Sequence, residues 1–317
     1  MKKSYLIRTM VILTTISLFV GVSDISIQDL INIDKDAWNL LYISRIPRVI
    51  SVIVTGVGMS ICGLIMQQIG RNKFVSPSTA ATMDSAKLGF LISMIFFTSL
   101  NNIGRMLISF VFSLIGTFLF MFLLRKIKFK NVIFVPLIGI LLGNLIDSIT
   151  TFFAYRHNLL QALNSYMVGD FSLVIKGRYE LLFLTIPLVI LAYIYANKFT
   201  IAGMGEDFSK NLGLNYKRVV SIGLIIVSLV TAAILVTIGS VPFLGLIVPN
   251  IVSIYKGDNV RKTIWETAIF GANFLLICDI ISRVVIYPYV ISIGLTVGVV
   301  GSLIFLALLL RRVKLEN

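Results

Sequence analysis

The sequence contains few charged residues, two cysteines and a single histidine. Charged residues occupy 13% of the 317 positions, about half of the ~25% that is usual in soluble domains. Cys62 and Cys278 lie inside apolar stretches, and with only His157 beside them they predict neither a disulfide framework nor a metal site. No glycine is followed by lysine, which excludes a phosphate-binding P-loop. No nucleophile elbow, zinc-protease motif or catalytic carboxylate pair is present, so no catalytic residue is predicted.

Apolar residues, by contrast, occupy 57% of the chain, and the mean hydropathy is +0.97. A soluble domain of this length could not remove so much apolar surface from water, because much of each element stays at its surface. No Gly/Ser-rich or Pro-rich linker separates a second unit. The composition therefore predicts an all-α integral membrane protein with one transmembrane domain, residues 1–317.

Ten apolar runs are long enough to be candidates for membrane-spanning helices, since a bilayer core needs roughly 20 residues per helix. They cover residues 5–22, 46–68, 81–100, 104–124, 131–154, 181–197, 217–239, 242–255, 264–285 and 290–310. The first run resembles a signal peptide, but it lacks a clear cleavage site and nine runs follow, so a retained helix is favoured. The eighth is short and interrupted by Pro242 and Pro249, which predicts a tilted, broken or partly re-entrant segment.

The cations indicate how these spans are oriented. Of the 28 Lys and Arg residues, nineteen fall in the termini and alternate connections, eight in the other connections, and one, Lys87, within a span. Because cytoplasmic loops are enriched in cations, both termini are predicted to be cytoplasmic. The net charge of +14 is thus explained by topology and implies no nucleic acid. The first outer connection, residues 23–44, is predicted to be a solvated loop or a short surface helix.

Four stretches carry a family pattern. The first stretch begins with Arg45-Ile46-Pro47-Arg48 and continues through a Gly-rich span that ends near Gln68. It closes with residues 72–77, which read Asn-Lys-Phe-Val-Ser-Pro. The others are 202–214, 239–250 (Gly-Ser-Val-Pro-Phe-Leu-Gly-Leu-Ile-Val-Pro-Asn) and 293–312. In order and topology they resemble the FecCD family of ABC-transporter permeases, which import iron-siderophores, haem and cobalamin. Three positions depart from the family pattern: Lys73 stands where Pro is usual, Asn250 where His is usual, and Ser302 where Ala or Pro is common. These departures leave open which substrate the family member imports.

The resemblance implies a multi-pass permease subunit in the bacterial cell membrane, with ten helices and no enzymatic activity of its own. A second permease subunit, identical or related, two cytoplasmic ATPase subunits and an extracytoplasmic substrate-binding lipoprotein are the implied partners. No cofactor is expected on this chain, since ATP and magnesium would bind the partner ATPase. The implied substrate is an iron complex, a ferric siderophore first, with haem or cobalamin as alternatives.

The resemblance also assigns roles to residues at the two membrane faces. The cytoplasmic connection at about 200–216 is implied to couple to the ATPase through Met204, Gly205, Glu206, Leu212, Gly213 and Leu214, and its length suggests two short helices joined near Gly213. A solvated loop is the alternative. Arg45, Arg48 and Arg283 fall at outer ends of spans, where the family receives acidic residues of the binding protein. The alternative for these arginines is headgroup contact or local pairing, such as Asp279 with Arg283.

Polar residues within spans are candidates for the translocation path, because a charge in lipid is costly. Asn144, Asp147, Ser148 and Thr151 lie on roughly one face of the fifth span. They either line a wet path or bond neighbouring helices. Asp84 and Lys87, three residues apart, are predicted to neutralise each other. A secondary transporter or channel acting alone is the rival function, and a membrane enzyme is disfavoured by the missing catalytic cluster.

Overall fold

The computed structural model describes residues 3–21, 35–126, 134–172 and 174–316. Within these ranges the regular structure is helical, apart from two isolated bridges that join Val168 to Ser240 and Ile286 to Tyr289. The all-α fold predicted from the sequence is confirmed. Helices satisfy every backbone hydrogen bond within the segment, which is the condition for crossing lipid.

The described ranges contain fourteen α-helices, a π-helix (Leu41–Arg45) and a 3₁₀-helix (Glu180–Leu184). In chain order the α-helices are α1 (Lys3–Phe19), α2 (Lys35–Leu40), α3 (Ile46–Ile69), α4 (Thr82–Phe96), α5 (Asn102–Lys126), α6 (Phe134–Arg156), α7 (Leu160–Met167), α8 (Thr185–Ile194), α9 (Ala196–Gly203), α10 (Glu206–Asn211), α11 (Tyr216–Thr237), α12 (Leu244–Lys256), α13 (Val260–Val284) and α14 (Ile293–Glu316).

Every one of the ten predicted runs coincides with a helix. Among the described residues, five helical segments are long and apolar enough to cross a membrane: Lys35–Ile69, Asn102–Leu124, Phe134–Arg156, Tyr216–Thr237 and Val260–Val284. A sixth is added if the pair Glu180–Ile194 and Ala196–Gly203 forms one span. Most of the first outer connection lies outside the described residues, but from Lys35 onward it is helical and continues through the π-helix into α3.

Two predicted spans are irregular. The span at 181–197 bends by 61° between α8 and α9, around Tyr195. The short span predicted at 242–255 begins only at Leu244 and keeps Pro249 inside its 13 residues. At 1.5 Å per residue α12 is about 20 Å long, which is less than the ~30 Å hydrocarbon core. The interruption predicted from its prolines therefore takes the form of a short helix.

Helix α3 lies at the centre of the molecule and packs on α11, α12 and α13. Small residues allow these contacts. A Cβ on Gly63 would lie 1.8 Å from the carbonyl oxygen of Gly245 on α12, and one on Gly56 would lie 2.7 Å from that of Gly271 on α13. Close backbone approach at small residues is the usual way that helices associate in lipid. Helices α5 and α6 are peripheral, with 33% and 28% of their apolar windows buried.

We expect Gly63→Ala to destabilise the protein by about 1 to 3 kcal/mol, because the new methyl group overlaps the α12 backbone, which has no side chain to move aside. The measurement is the thermal unfolding midpoint in detergent. Gly298→Ala is the matched control, since a Cβ there meets only Pro242 Cγ, at 4.0 Å. Equal midpoints for the two variants would show that the α3–α12 contact is not tight.

Candidate functional site

The outer ends of α1, α3 and α13 meet at one buried carboxylate, that of Asp279. Its side chain is fully buried and accepts from Arg48 Nε at 3.1 Å and Nη2 at 2.9 Å, through Oδ1. Its Oδ2 accepts from Arg283 Nη2 at 2.5 Å. Two arginines from different helices thus share one acid, and the geometry suits guanidinium groups, whose planar donors match a carboxylate.

The same cluster holds the end of α1. Arg283 donates through Nη1 to the carbonyl oxygens of Ser17 at 2.9 Å and Val20 at 2.6 Å. Arg45 donates to the Val20 carbonyl as well. These carbonyls belong to the last turn of a helix, where backbone acceptors lack an internal partner. The arginines therefore cap α1 and fasten it to α3 and α13.

Three arginines were predicted to dock a binding protein, with local pairing as the alternative. In the structure all three bind groups of this chain: Arg48 and Arg283 pair with Asp279, and Arg45 donates to the Val20 carbonyl. Arg45 and Arg283 are 6% and 4% exposed, so neither presents its charge at the outer surface. Sequence reasoning passed over two exposed cations in the outer segment, Lys176 and Arg178. Lys176 lies over the ring of Tyr42 at 4.2 Å and donates to its hydroxyl at 2.9 Å. Neither cation is part of a recognisable motif, so only exposure identifies them.

The polar face predicted on the fifth span lies on α6. Asn144, Ser148 and Thr151 are exposed there, and Asp147 pairs with Lys87 of α4 at 2.8 Å. Lys87 therefore forms its ion pair with Asp147 of the facing helix and not with Asp84, although its charge also acts on the Asp84 carboxyl group. Exposed amide and hydroxyl groups at membrane depth are unfavourable against lipid. This face requires water or another protein.

The cytoplasmic connection folds into one short helix, α10, and not the two that its length suggests. Gly205, with φ +120°, forms the turn from α9. Gly213, with φ +74°, forms the turn toward α11. Both conformations are disfavoured for residues with a Cβ. Ser209 is buried and donates to the carbonyls of Gly205 at 2.6 Å and Ile201 at 3.0 Å, which holds α10 against α9.

An exposed apolar face runs along α10. Met204, Phe208 and Leu212 are 55%, 49% and 59% exposed. Phe208 on α10 and Leu212 at its C-terminal end are four residues apart and so lie on one side of the helix. Met204 lies at the end of α9, before the turn at Gly205. Glu206 pairs with Lys210 at 2.9 Å, while Leu214 turns inward and packs against the core. Phe208 was missed by sequence reasoning, although its i, i+4 spacing from Leu212 could have identified it.

Two positions that depart from the family pattern meet near this face. Asn250 donates to the Lys73 carbonyl oxygen at 2.8 Å. The Lys73 ammonium pairs with Asp258 and lies 2.9 Å from Ser253 Oγ. Burial raises the pKa of Asp258, but hydrogen bonds from Lys73 and Ser253 outweigh it and leave that pKa below its ordinary value. The Asp258 carboxylate therefore stays ionised at neutral pH. Among the described residues, no group of three His, Cys, Asp or Glu side chains could hold a metal ion.

Comparison with known proteins gives a consistent picture. The model of the FecCD transport family matches residues 9–311. The chain is 59% identical to the petrobactin import system permease protein YclN of Bacillus subtilis, over 98% of this chain and 99% of that one. It is 40% identical to the ferric-anguibactin transport system permease protein FatD of Vibrio anguillarum (94% and 95%). Against a second Bacillus subtilis petrobactin import permease, YclO, it is 27% identical (94% and 98%).

The fold also matches a solved structure, described as an inward-facing conformation of a metal-chelate type ABC transporter. The TM-score is 0.82 at 20% identity, and the match covers 96% of this chain and 97% of the other.

We expect Asp279→Asn to lower the stability by about 3 to 5 kcal/mol, because it leaves the buried cations of Arg48 and Arg283 without a counter-charge. The measurement is the unfolding midpoint of the purified protein in detergent. Asp207→Asn, which neutralises an exposed carboxylate on α10, serves as the control. A midpoint equal to that of the control would mean that the cluster is not what fastens α1.

Proposed function

The chain belongs to the FecCD transport family, and on that premise we propose that it is the membrane permease of an ATP-driven importer for a ferric siderophore. It is a multi-pass protein of the bacterial cell membrane and not the ATPase subunit. The observation that carries the proposal is the exposed apolar face of Met204, Phe208 and Leu212 at the cytoplasmic end. An apolar patch rimmed by charges is typical of a surface that a partner covers.

The ATPase subunit is the partner that suits this face. We expect ATP and magnesium to bind that subunit and not this chain. Glu206 and Lys210 flank the apolar residues and supply a polar rim of the kind that surrounds interface cores. The turns at Gly205 and Gly213 give α10 fixed ends, so a displacement of the ATPase surface is passed to α9 and α11.

The proposed translocation path runs along the polar face of α6. Asn144, Ser148 and Thr151 offer hydrogen-bonding groups to water or to the oxygen atoms of an iron chelate, and Asp147 is neutralised by Lys87. The names of two relatives, petrobactin import and ferric-anguibactin transport, support a ferric siderophore as the substrate. Haem and cobalamin are the alternatives.

A second permease is needed to enclose this path, because α6 and α5 are peripheral in a single chain. We favour a related but non-identical subunit. Bacillus subtilis has two petrobactin import permeases, and this chain is 59% identical to one and 27% to the other. A chain that replaces YclN in such a pair would join a YclO-like partner.

The extracytoplasmic binding lipoprotein is proposed to dock on the outer face through opposite charges. Arg45, Arg48 and Arg283 retain the docking role as a prediction, with Arg48 the most accessible of them at 11% side-chain exposure. Lys176 and Arg178 lie in the exposed segment that follows Ser172, whose Oγ is 3.5 Å from Arg48 Nη1, and they present their charges more fully. Exposed charges of this kind accelerate association and are weakened by salt.

We expect Phe208→Ser to weaken ATPase binding by about tenfold or more, because central aromatic side chains dominate interface energetics. The measurement is co-purification of the ATPase subunit, followed by its affinity for the permease in nanodiscs. Phe208→Leu, which keeps an apolar side chain at the same place, should bind nearly as the unaltered protein does. Undiminished binding by Phe208→Ser would exclude α10 as the docking helix.

We expect ATP-dependent uptake of ferric petrobactin in liposomes that contain this chain, a YclO-like permease, the ATPase and the binding protein. ADP in place of ATP should abolish uptake, and haem and cobalamin should not compete. Omission of the second permease should also abolish it. Uptake driven by an ion gradient without the ATPase would instead indicate a secondary transporter, and uptake without the second permease would indicate a homodimer.

A further inference from the structure

A polar cavity of about 510 Å³ opens at the cytoplasmic end, beside the turn that leads into α10. Three segments that are distant in sequence line it. The first is the end of α3 and the turn after it, with Gln67, Gln68, Arg71, Asn72 and Lys73. The second is the end of α9, with Thr200, Gly203 and Met204. The third is the α12–α13 connection, with Asp258 and Asn259. The cavity therefore adjoins the exposed apolar face of α10 at Met204.

The charges in this cavity do not balance. Lys73 and Asp258 neutralise each other, so Arg71 contributes an uncompensated positive charge. Within the described ranges, Arg71 is exposed and forms neither an ion pair nor a side-chain hydrogen bond.

The backbone holds Arg71 in an unusual conformation. Its φ is +50°, in the left-handed region that is unfavourable for a residue with a Cβ. The guanidinium lies against the turn into α10. A Cβ on Gly205 would be 3.2 Å from Arg71 Nη1 and 3.3 Å from its Cζ. The side chain is thus positioned beside α10 without being bonded to the carboxylates that α10 carries.

From this geometry we propose that Arg71 and its cavity are a second docking point for the ATPase subunit, where the guanidinium binds a carboxylate on the ATPase surface next to the region that receives α10. The inference rests on the proposed function, because it requires that α10 docks an ATPase. An acidic side chain is the occupant that matches a lone guanidinium, and bidentate pairing would fix its orientation.

A contact at this point would bind three segments at once. Gln68 Nε2 donates to the Asp258 carbonyl oxygen at 3.4 Å, and the Oε1 of Gln68 lies 2.3 Å from where a Cβ on Gly203 would be. A carboxylate bound to Arg71 would therefore exert force on α3, α9 and the start of α13 together, because these segments contact one another here. The apolar face of α10 supplies contact area, and Arg71 supplies attachment to the central helix α3.

The test measures the affinity of the purified ATPase for the permease complex in nanodiscs over a range of salt concentrations. We expect Arg71→Gln to bind about tenfold and Arg71→Glu about a hundredfold more weakly at low salt. The differences should shrink at high salt, which screens exposed charge pairs. Lys262→Glu is the matched control, an exposed cation at the same membrane face that does not line the cavity, and it should bind normally.

A photoreactive amino acid at position 71 provides the second measurement. We expect it to cross-link to an ATPase peptide that contains Asp or Glu. Cross-links only to lipid, or unaltered affinity and salt dependence for Arg71→Glu, would overturn the docking point while α10 docking stands. If the unaltered permease fails to bind the ATPase, both this inference and the proposed function are overturned.

Discussion

Every interior charge in this membrane protein needs a counter-charge, and that requirement determines how its helices are joined. Asp279 has no contact with water and accepts from arginines of two helices. Lys87 reaches Asp147 on the neighbouring helix, and Lys3 reaches the buried Glu266. Each pair connects different helices except for that of Arg283, so the pairs fix which helices are neighbours. Apolar packing alone would not, because lipid tails are as apolar as leucine side chains.

Polar contacts also hold α1 against the rest of the fold. Along α13 its attachments recur at Glu266, Asn273 and Arg283, the last through carbonyl oxygens of α1. A helix whose sequence resembles a signal peptide is therefore bound by polar contacts at both ends and near its middle. Asn273 donates to the Leu6 carbonyl at 3.0 Å and to Thr9 Oγ1 at 2.9 Å.

The spans could be predicted because their signal is local: about twenty apolar residues imply a helix wherever they occur. The partners of the charged residues could not, since Lys87 is 60 positions from Asp147 and three from Asp84, and only the packing of α4 against α6 decides between them. The bend at Tyr195 could not be predicted either, because no proline or glycine lies at that position. Phe208 was predictable in principle, because its spacing of four residues from Leu212 is a helical pattern in a short segment.

The continuous helix from Lys35 to Ile69 has a mechanical consequence. Its 35 residues extend for roughly 50 Å, well beyond a hydrocarbon core of ~30 Å. The π-helix at Leu41–Arg45 interrupts the regular hydrogen-bond register near the outer end, so the 24-residue α3 beneath it behaves as a rod about 36 Å long. A swing of about 10° about its inner end would displace its outer end by about 6 Å. A tilt of α3 would thus move the arginine cluster at its outer end, because Arg48 lies in its first turn.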